Sequence, residues 1–241
     1  MPQRGVAQMS SNGSRGASTG SNFEDARREM VARQIRDRGI HSQRVLDAIQ
    51  SVPRHLFVLP EHVFAAYADE PLPIGEGQTI SQPFMVAAMA DALALEGHER
   101  VLEIGAGSGY QAAVLSLLAR EVIAVETQPV LASAARERLA RLGYANVRIE
   151  EADGSLGWPS AAPYDAILVT AGAPSVPPPL VEQLAEGGRL VIPVGRTEHQ
   201  ELLRVVKRDG GTSQESLYAC RFVPLLGRYG WRQDPQEASG E

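Results

Sequence analysis

The sequence predicts an α/β domain whose mostly parallel sheet carries helices on both faces, and three observations lead there. Short, continuously apolar runs at 101–104, 121–125, 165–169 and 189–194 are set among helical patterns, which is how strands buried on both sides read. The first run ends in glycines at alternate positions, Gly105-Ala-Gly107-Ser-Gly109, and a helical stretch begins at once. Near the C-terminus the pattern changes: runs at 201–207 and 216–223 face each other across Asp209-Gly-Gly, the composition of a hairpin turn.

Residues 1–21 are rich in Ser, Gly, Asn and Gln and have few large apolar groups to offset ordering entropy, so they are expected to be disordered. Residues 232–241 read likewise as a flexible tail. One domain is expected over 22–231, with a helical region at 22–98 ahead of a sheet at 99–231. In the helical region Ala26, Met30, Val31 and Ile35 fall near helical spacing, so a helix is expected over 23–38, capped by Asn22 and stopped by Gly39. A second helix, capped by Ser42, carries Val45, Leu46 and Ile49 and ends before Pro53; a third, short one follows Pro60. Residues 71–83 read as irregular, up to a helix that Pro83 opens and Gly97 closes. The alternation then runs strand 101–104, helix 109–119, strand 121–125, helix 128–142, strand 146–150 and strand 165–169. A helix over 177–185 is expected to stop at Gly187-Gly188, with strand 189–194 after it.

A chain of 241 residues buries one sizeable core. A net charge of −6 argues against a non-specific nucleic-acid partner, which calls for a basic surplus. The single cysteine, Cys220, rules out an internal disulfide framework, fits a reducing compartment, and in its strand-like run reads as a buried inert thiol. No apolar stretch approaches the roughly 18 residues of a membrane span, and the N-terminal arginines precede no apolar segment of a secretory signal. A cytoplasmic protein with no membrane partner is therefore expected. Oligomeric state is left open, with a monomer as the default.

The glycine loop carries the chemistry. Gly105 and Gly107 let the backbone turn sharply and bring a ligand close to bare amides at a helix start. The next apolar run ends in Glu126, where a carboxylate can accept two hydrogen bonds from a ribose diol. A dinucleotide fingerprint would need glycine at position 110, and Tyr110 stands there, which disfavours a nicotinamide coenzyme. Glu103, inside the strand before the turn, suits a ligand with a cationic group better than a pyrophosphate. S-adenosyl-L-methionine has an ammonium and a sulfonium beside its ribose, and the loop resembles the first motif of class I methyltransferases. Asp153 can hydrogen-bond an adenine amino group, with Gly154 giving the ring access to the backbone; the alternative for Asp153 is a helix cap. Gly105, Glu126, Asp153 and Thr170 all fall at strand ends, where open α/β sheets bind ligands.

From about residue 30 to 226 the chain resembles the protein-L-isoaspartate O-methyltransferases in their bacterial form. The resemblance is carried by Gly77-Gln-Thr-Ile-Ser-Gln-Pro83, by Val101-Leu-Glu-Ile-Gly-Ala-Gly-Ser-Gly-Tyr-Gln-Ala-Ala113, and by Asp153-Gly154 with Gly157-Trp-Pro159. It continues through Ala162-Pro-Tyr-Asp165, Val169-Thr-Ala171, Gly187-Gly188, Val191-Ile-Pro-Val-Gly195 and Arg221-Phe-Val-Pro-Leu225. The Thr-Ile-Ser-Gln-Pro and Arg-Phe-Val-Pro-Leu segments are specific to this family. Departures are modest: Ala106 where threonine is frequent, Thr127-Gln128 where Arg-Ile is common, and Ala152 where glycine is usual. They bear on affinity more than on reaction type.

The resemblance implies a Rossmann-like fold with a seven-stranded sheet and an antiparallel C-terminal hairpin. It also implies methyl transfer from S-adenosyl-L-methionine to the free α-carboxylate of an isoaspartyl residue in damaged proteins and peptides. The ester then cyclises to a succinimide without the enzyme, and hydrolysis returns some aspartate. Ser81 is expected to orient the acceptor carboxylate, with Thr79, Ile80 and Gln82 forming the edge of the peptide site and the backbone of Val223 helping to hold it. Without the family, Ser81 reads equally well as a cap for the helix at Pro83. Three other readings stay open from the residues: a methyltransferase for another carboxylate or small molecule, a nucleotide-binding module without catalysis, and, least favoured, a nicotinamide oxidoreductase.

Overall fold

The computed structural model describes residues 17–232; of the segment 1–21 expected to be disordered, residues 17–21 are instead helical, while residues 1–16, and 233–241 of the tail expected at 232–241, lie outside the described ones. The N-terminal helix α1 (Ala17–Glu29) begins five residues before the expected cap, so Asn22 is an exposed residue within it. The run continues as a π-helical segment, Met30–Ile35, and a 3-10 turn, Arg36–Arg38, which Gly39 ends in the left-handed conformation. Helix α2 (Gln43–Ser51) buries Val45, Leu46, Ala48 and Ile49; Ser42 is its first flanking residue but makes no side-chain cap.

The stretch 71–83, expected to be irregular, instead contains an antiparallel hairpin of β1 (Leu72–Gly75) and β2 (Gln78–Ile80). Its alternation is real, with Leu72, Ile74 and Ile80 buried, but prolines at 71 and 73 hide it in sequence. Pro73 is tolerated because a two-stranded ribbon has only edges. Helix α3 (Pro83–Ala92) then closes five residues before Gly97, at a left-handed Ala94.

The main sheet comprises β3 (Arg100–Ile104), β4 (Glu121–Glu126), β5 (Val147–Glu151), β6 (Tyr164–Val169), β7 (Leu184–Arg196), β8 (His199–Arg208) and β9 (Gly211–Cys220). Their order across the sheet is β5-β4-β3-β6-β7-β8-β9. The first five are parallel, β8 is antiparallel to both its neighbours, and the β8–β9 hairpin forms the far edge. Boundaries differ from expectation at β7, at the helix before it and at β9. Helix α6 (Pro178–Glu182) is shorter than 177–185, because β7 starts at Leu184 and takes Gly187-Gly188 into the strand at an irregularity of register. Strand β9 starts five residues before 216 and ends before Phe222.

Side chains alternate across the sheet as two-sided burial requires. Val101, Val122, Ala124, Ala166 and Leu168 face the larger core, built with α2, α3, α4 (Tyr110–Ser116) and α5 (Pro129–Arg141). Leu102, Ile104, Ile123, Val125, Ile167 and Val169 face the second core, covered by α6 and the segments around Trp158 and Leu225. Among the described residues no helix is long and apolar enough to cross a membrane.

Candidate active site

Strand order reverses at β3: the chain steps out to β4 and β5, then returns to the opposite side of β3 with β6. Such a switch point opens a crevice at the carboxyl ends of the strands. The Thr170 amide, just past β6, closes it below by donating to the Ile104 carbonyl at 2.9 Å, and the Thr170 hydroxyl donates to the Gly105 carbonyl at 2.7 Å. Two clefts lead from this point. A narrow one runs between Gly105, Gly107, Glu126 and Gly154, roofed by Leu225 and Leu226. A larger one, about 780 Å³, passes Ser81, Gln82, Phe84, Tyr218 and Cys220. Thr79, Thr170, Val223 and Pro224 line both, so the two clefts share a wall and a floor.

The narrow cleft has the features of a ribonucleoside site. Glu126, at the tip of β4, is buried and held by three backbone amides: Gly107 donates to Oε2 at 2.8 Å, and Thr127 and Gln128 donate to Oε1 at 2.9 and 3.0 Å. That fixes the carboxylate and leaves one lone-pair site, on Oε2, open to a ribose hydroxyl. Gly105 has φ +92, and a Cβ there would lie 2.5 Å from the Thr170 hydroxyl. At Gly154 a Cβ would lie 2.5 Å from Ile104 Cγ2. A side chain at either position would collide with the cleft's own wall, so both stay bare, and the residues fit a nucleoside lying against backbone. These four residues, Gly105, Gly107, Glu126 and Gly154, are brought together as their spacing implies.

Asp153 and Glu103 are placed differently. The Asp153 carboxylate caps the turn Gly154–Leu156, accepting from the Ser155 amide at 2.9 Å and its hydroxyl at 2.7 Å, and it accepts from the Arg228 amide at 2.8 Å. It therefore ties down the C-terminal loop and lies behind the narrow cleft, where Gly154 forms the lining. Glu103 points into the larger core beside Ala124 and Leu168, is fully buried, and has no hydrogen-bond partner on either oxygen among the described residues. Burial first, then the nearby Glu126 charge, pushes its carboxyl well above the usual carboxylate range. It lines neither cleft.

On the acceptor side, Ser81 lies just after β2 and lines the larger cleft, and it also faces a small cavity shared with Gly105, Gly107 and Gln111. Thr79 is at the junction; Ile80 is buried against the small cavity; Gln82 stands on the larger cleft. The Ser81 side chain is not the cap of α3. Val223 has its carbonyl engaged by the Gly172 amide at 2.7 Å, which sets the position of the shared wall. Cys220 ends β9 half-buried on the larger cleft, and burial pushes its thiol up to about 11, so it is a poor nucleophile at neutral pH.

Two participants were not assigned a role from sequence. Thr170 was legible as a strand-end residue, yet only the fold shows it as the floor of both clefts. Arg54 gave no signal, since an arginine between Pro53 and His55 reads as a surface group; it is buried completely and donates from Nη2 to the Ser81 carbonyl at 2.8 Å.

Comparison with known proteins adds independent ground. The family profile described as protein-L-isoaspartate(D-aspartate) O-methyltransferase matches residues 25–230. A protein-L-isoaspartate O-methyltransferase from Syntrophobacter fumaroxidans is 55% identical over 210 residues, covering 87% of this chain and 98% of the relative. One from Geobacter metallireducens is 56% identical over 211 residues, with coverage of 87% and 98%. Among solved structures, a protein-L-isoaspartate O-methyltransferase superposes with a TM-score of 0.77 at 31% identity, covering 85% of this chain and 67% of that one. Another, from Plasmodium falciparum and in complex with S-adenosyl-L-homocysteine, superposes at 0.70 with 26% identity, covering 85% and 98%. The profile match over nearly the whole described chain and the identity to full-length relatives agree with the two-cleft geometry: the chain belongs to the protein-L-isoaspartate(D-aspartate) O-methyltransferase family.

Proposed function

We infer that this protein transfers a methyl group from S-adenosyl-L-methionine to the free α-carboxylate of L-isoaspartyl residues in damaged proteins and peptides, a repair reaction leading through succinimide back to aspartate. The single observation that carries the reading is the junction of the clefts: a nucleoside cradle meets a peptide-sized cleft at Thr79 and Thr170, with Ser81 at the meeting point. Bound S-adenosyl-L-methionine supplies a methyl group activated on a cationic sulfur. What the chain must do is hold, align and desolvate. The acceptor carboxylate is already ionised at neutral pH, since carboxyl groups of this kind titrate at about 4 in water, so the site has no need of a general base. Alignment at near-attack geometry can contribute roughly 7–11 kcal/mol.

In this reading Gly105, Gly107 and Gly154 give the donor access to backbone, Glu126 accepts from a ribose hydroxyl, and Asp153 has spare acceptor capacity for its adenine amino group. Glu103, fully buried on the larger-core face and held toward its neutral form, makes no contact with the donor in this reading. Ser81 orients the acceptor carboxylate through its hydroxyl. Thr79, Ile80, Gln82 and the Val223 backbone hold the peptide, whose main chain can bond to this lip with broad tolerance of sequence. We further propose that the protein has no nucleic-acid partner, from the acidic charge balance.

The test has a donor arm and an acceptor arm. Calorimetry should register binding of S-adenosyl-L-homocysteine, and labelled methyl should pass to an isoaspartyl peptide in preference to a panel of simple carboxylic acids. Equal labelling of the panel would transfer the assignment to a methyltransferase of small carboxylates.

A further inference from the structure

Outside the two clefts, the side chain whose placement is hardest to explain by folding alone is Arg54. It sits in a single 3-10 turn, Arg54–Leu56, with no exposed surface. Its guanidinium spans three parts of the molecule. Nε donates to the Ala66 carbonyl at 2.8 Å, Nη2 donates to the Ser81 carbonyl at 2.8 Å, and Cζ lies 4.9 Å from the centroid of the Tyr110 ring. Tyr110 is the first residue of α4, directly after the glycine loop. One rigid group therefore touches the peptide of the proposed acceptor-orienting residue and the side chain that follows the donor loop.

The energetics argue against a purely structural role. A buried cation carries a large desolvation cost, and apolar side chains of similar volume often serve a fold as well or better. Among the described residues no ion pair involves Arg54, and Nη1 has no hydrogen-bond partner of good geometry, although the buried Tyr110 hydroxyl lies close enough to the guanidinium to stabilise its charge. The planar fork does offer what an apolar group cannot: two donors at fixed separation, set on two carbonyls of different segments. We propose that Arg54 is a positioning residue for methyl transfer, registering the Ser81 peptide, and so its hydroxyl, against the donor loop. The inference rests on the reading that Ser81 contacts the acceptor carboxylate.

A double-mutant cycle tests it with the full chain. Arg54→Lys keeps the charge but lacks the fork that places donors on both carbonyls; Arg54→Met keeps the bulk without donors and serves if the lysine variant does not melt cooperatively. Each is made alone and with Ser81→Ala, and kcat and KM are measured on an isoaspartyl peptide beside S-adenosyl-L-homocysteine affinity by calorimetry. If Arg54 acts through Ser81, Arg54→Lys lowers kcat by roughly 10- to 100-fold, the factor that one hydrogen bond to a charged group is worth. Cofactor affinity and peptide KM move far less, and in the Ser81→Ala background the same change adds no further loss. Losses that multiply across the cycle, an unchanged kcat, or cofactor affinity falling in step with kcat would overturn the proposal. Full turnover in Ser81→Ala alone would show instead that the Ser81 reading itself is at fault, a result separable from multiplying losses.

Discussion

Glu103 is a buried carboxyl with two unpartnered oxygens, facing the larger core. Its pKa in the fold lies well above the usual carboxylate value, for reasons of burial and then the Glu126 charge. Between the unfolded value, about 4.3, and the raised folded one, the native state binds more protons than the unfolded chain. Stability therefore falls as pH rises through that window. Glu103→Gln, neutral at every pH, should leave Tm nearly unchanged near pH 4.5 and raise it increasingly toward pH 8; parallel Tm profiles for both proteins would contradict the assignment. Two site residues give complementary predictions. Ser81→Ala should cost roughly 10- to 100-fold in kcat, the worth of a hydrogen bond to a charged acceptor, with calorimetric affinity for S-adenosyl-L-homocysteine retained. Glu126→Ala should instead raise the Kd of that ligand by roughly 10-fold or more, because it removes the ribose acceptor and releases the amides of Gly107, Thr127 and Gln128. Ser81 was singled out by the family resemblance, the residues alone reading equally well as a helix cap; the place of Glu126 was legible in sequence, because it depends on position along a strand–turn–helix unit. Arg54 was not, since its role depends on two carbonyls brought near it by long-range folding.

At the scale of elements, the C-terminal loop acts as a latch over the donor cleft. Asp153 and Ser155 accept from the amides of Arg228 and Tyr229, and Trp231 donates from its indole to the Gly172 carbonyl at 3.0 Å. Leu225 and Leu226, just ahead of these anchors in the chain, line the cleft. Asp153→Ala removes a helix-turn cap, worth about 0.5–2 kcal/mol, together with one anchor of the latch. Differential scanning calorimetry should show Tm lowered by roughly 2–8 °C, with weaker S-adenosyl-L-homocysteine binding; an unchanged affinity would mean the latch and the cleft are uncoupled. The cap was the alternative reading of Asp153 in sequence, and hydrogen bonds now account for both carboxylate oxygens. Elements with a clean periodicity, such as β3, β4 and α5, fell where apolar spacing put them to within a residue or two. The β1–β2 hairpin and the long β7 did not, because proline and glycine inside a strand carry the same composition as a loop, and only pairing with a neighbouring strand tells the two apart.

For the molecule as a whole, the reversal of strand order at β3 and the antiparallel β7–β9 edge decide where chemistry can occur. The switch point opens the donor cleft, and the segment after β9 returns across the sheet, where Pro224 bridges to Gly172. That return makes Val223 and Pro224 the wall between the two clefts. We propose that this wall and the Ser81 lip align an α-carboxylate carried on the backbone Cα with the donor and do not align a side-chain carboxylate. The most direct measurement is initial-rate methyl transfer from labelled S-adenosyl-L-methionine to two peptides identical except that one aspartyl residue is linked through its side chain. The expected result is saturable turnover on the isoaspartyl peptide and background labelling of its aspartyl twin. Equal rates on the two would contradict it.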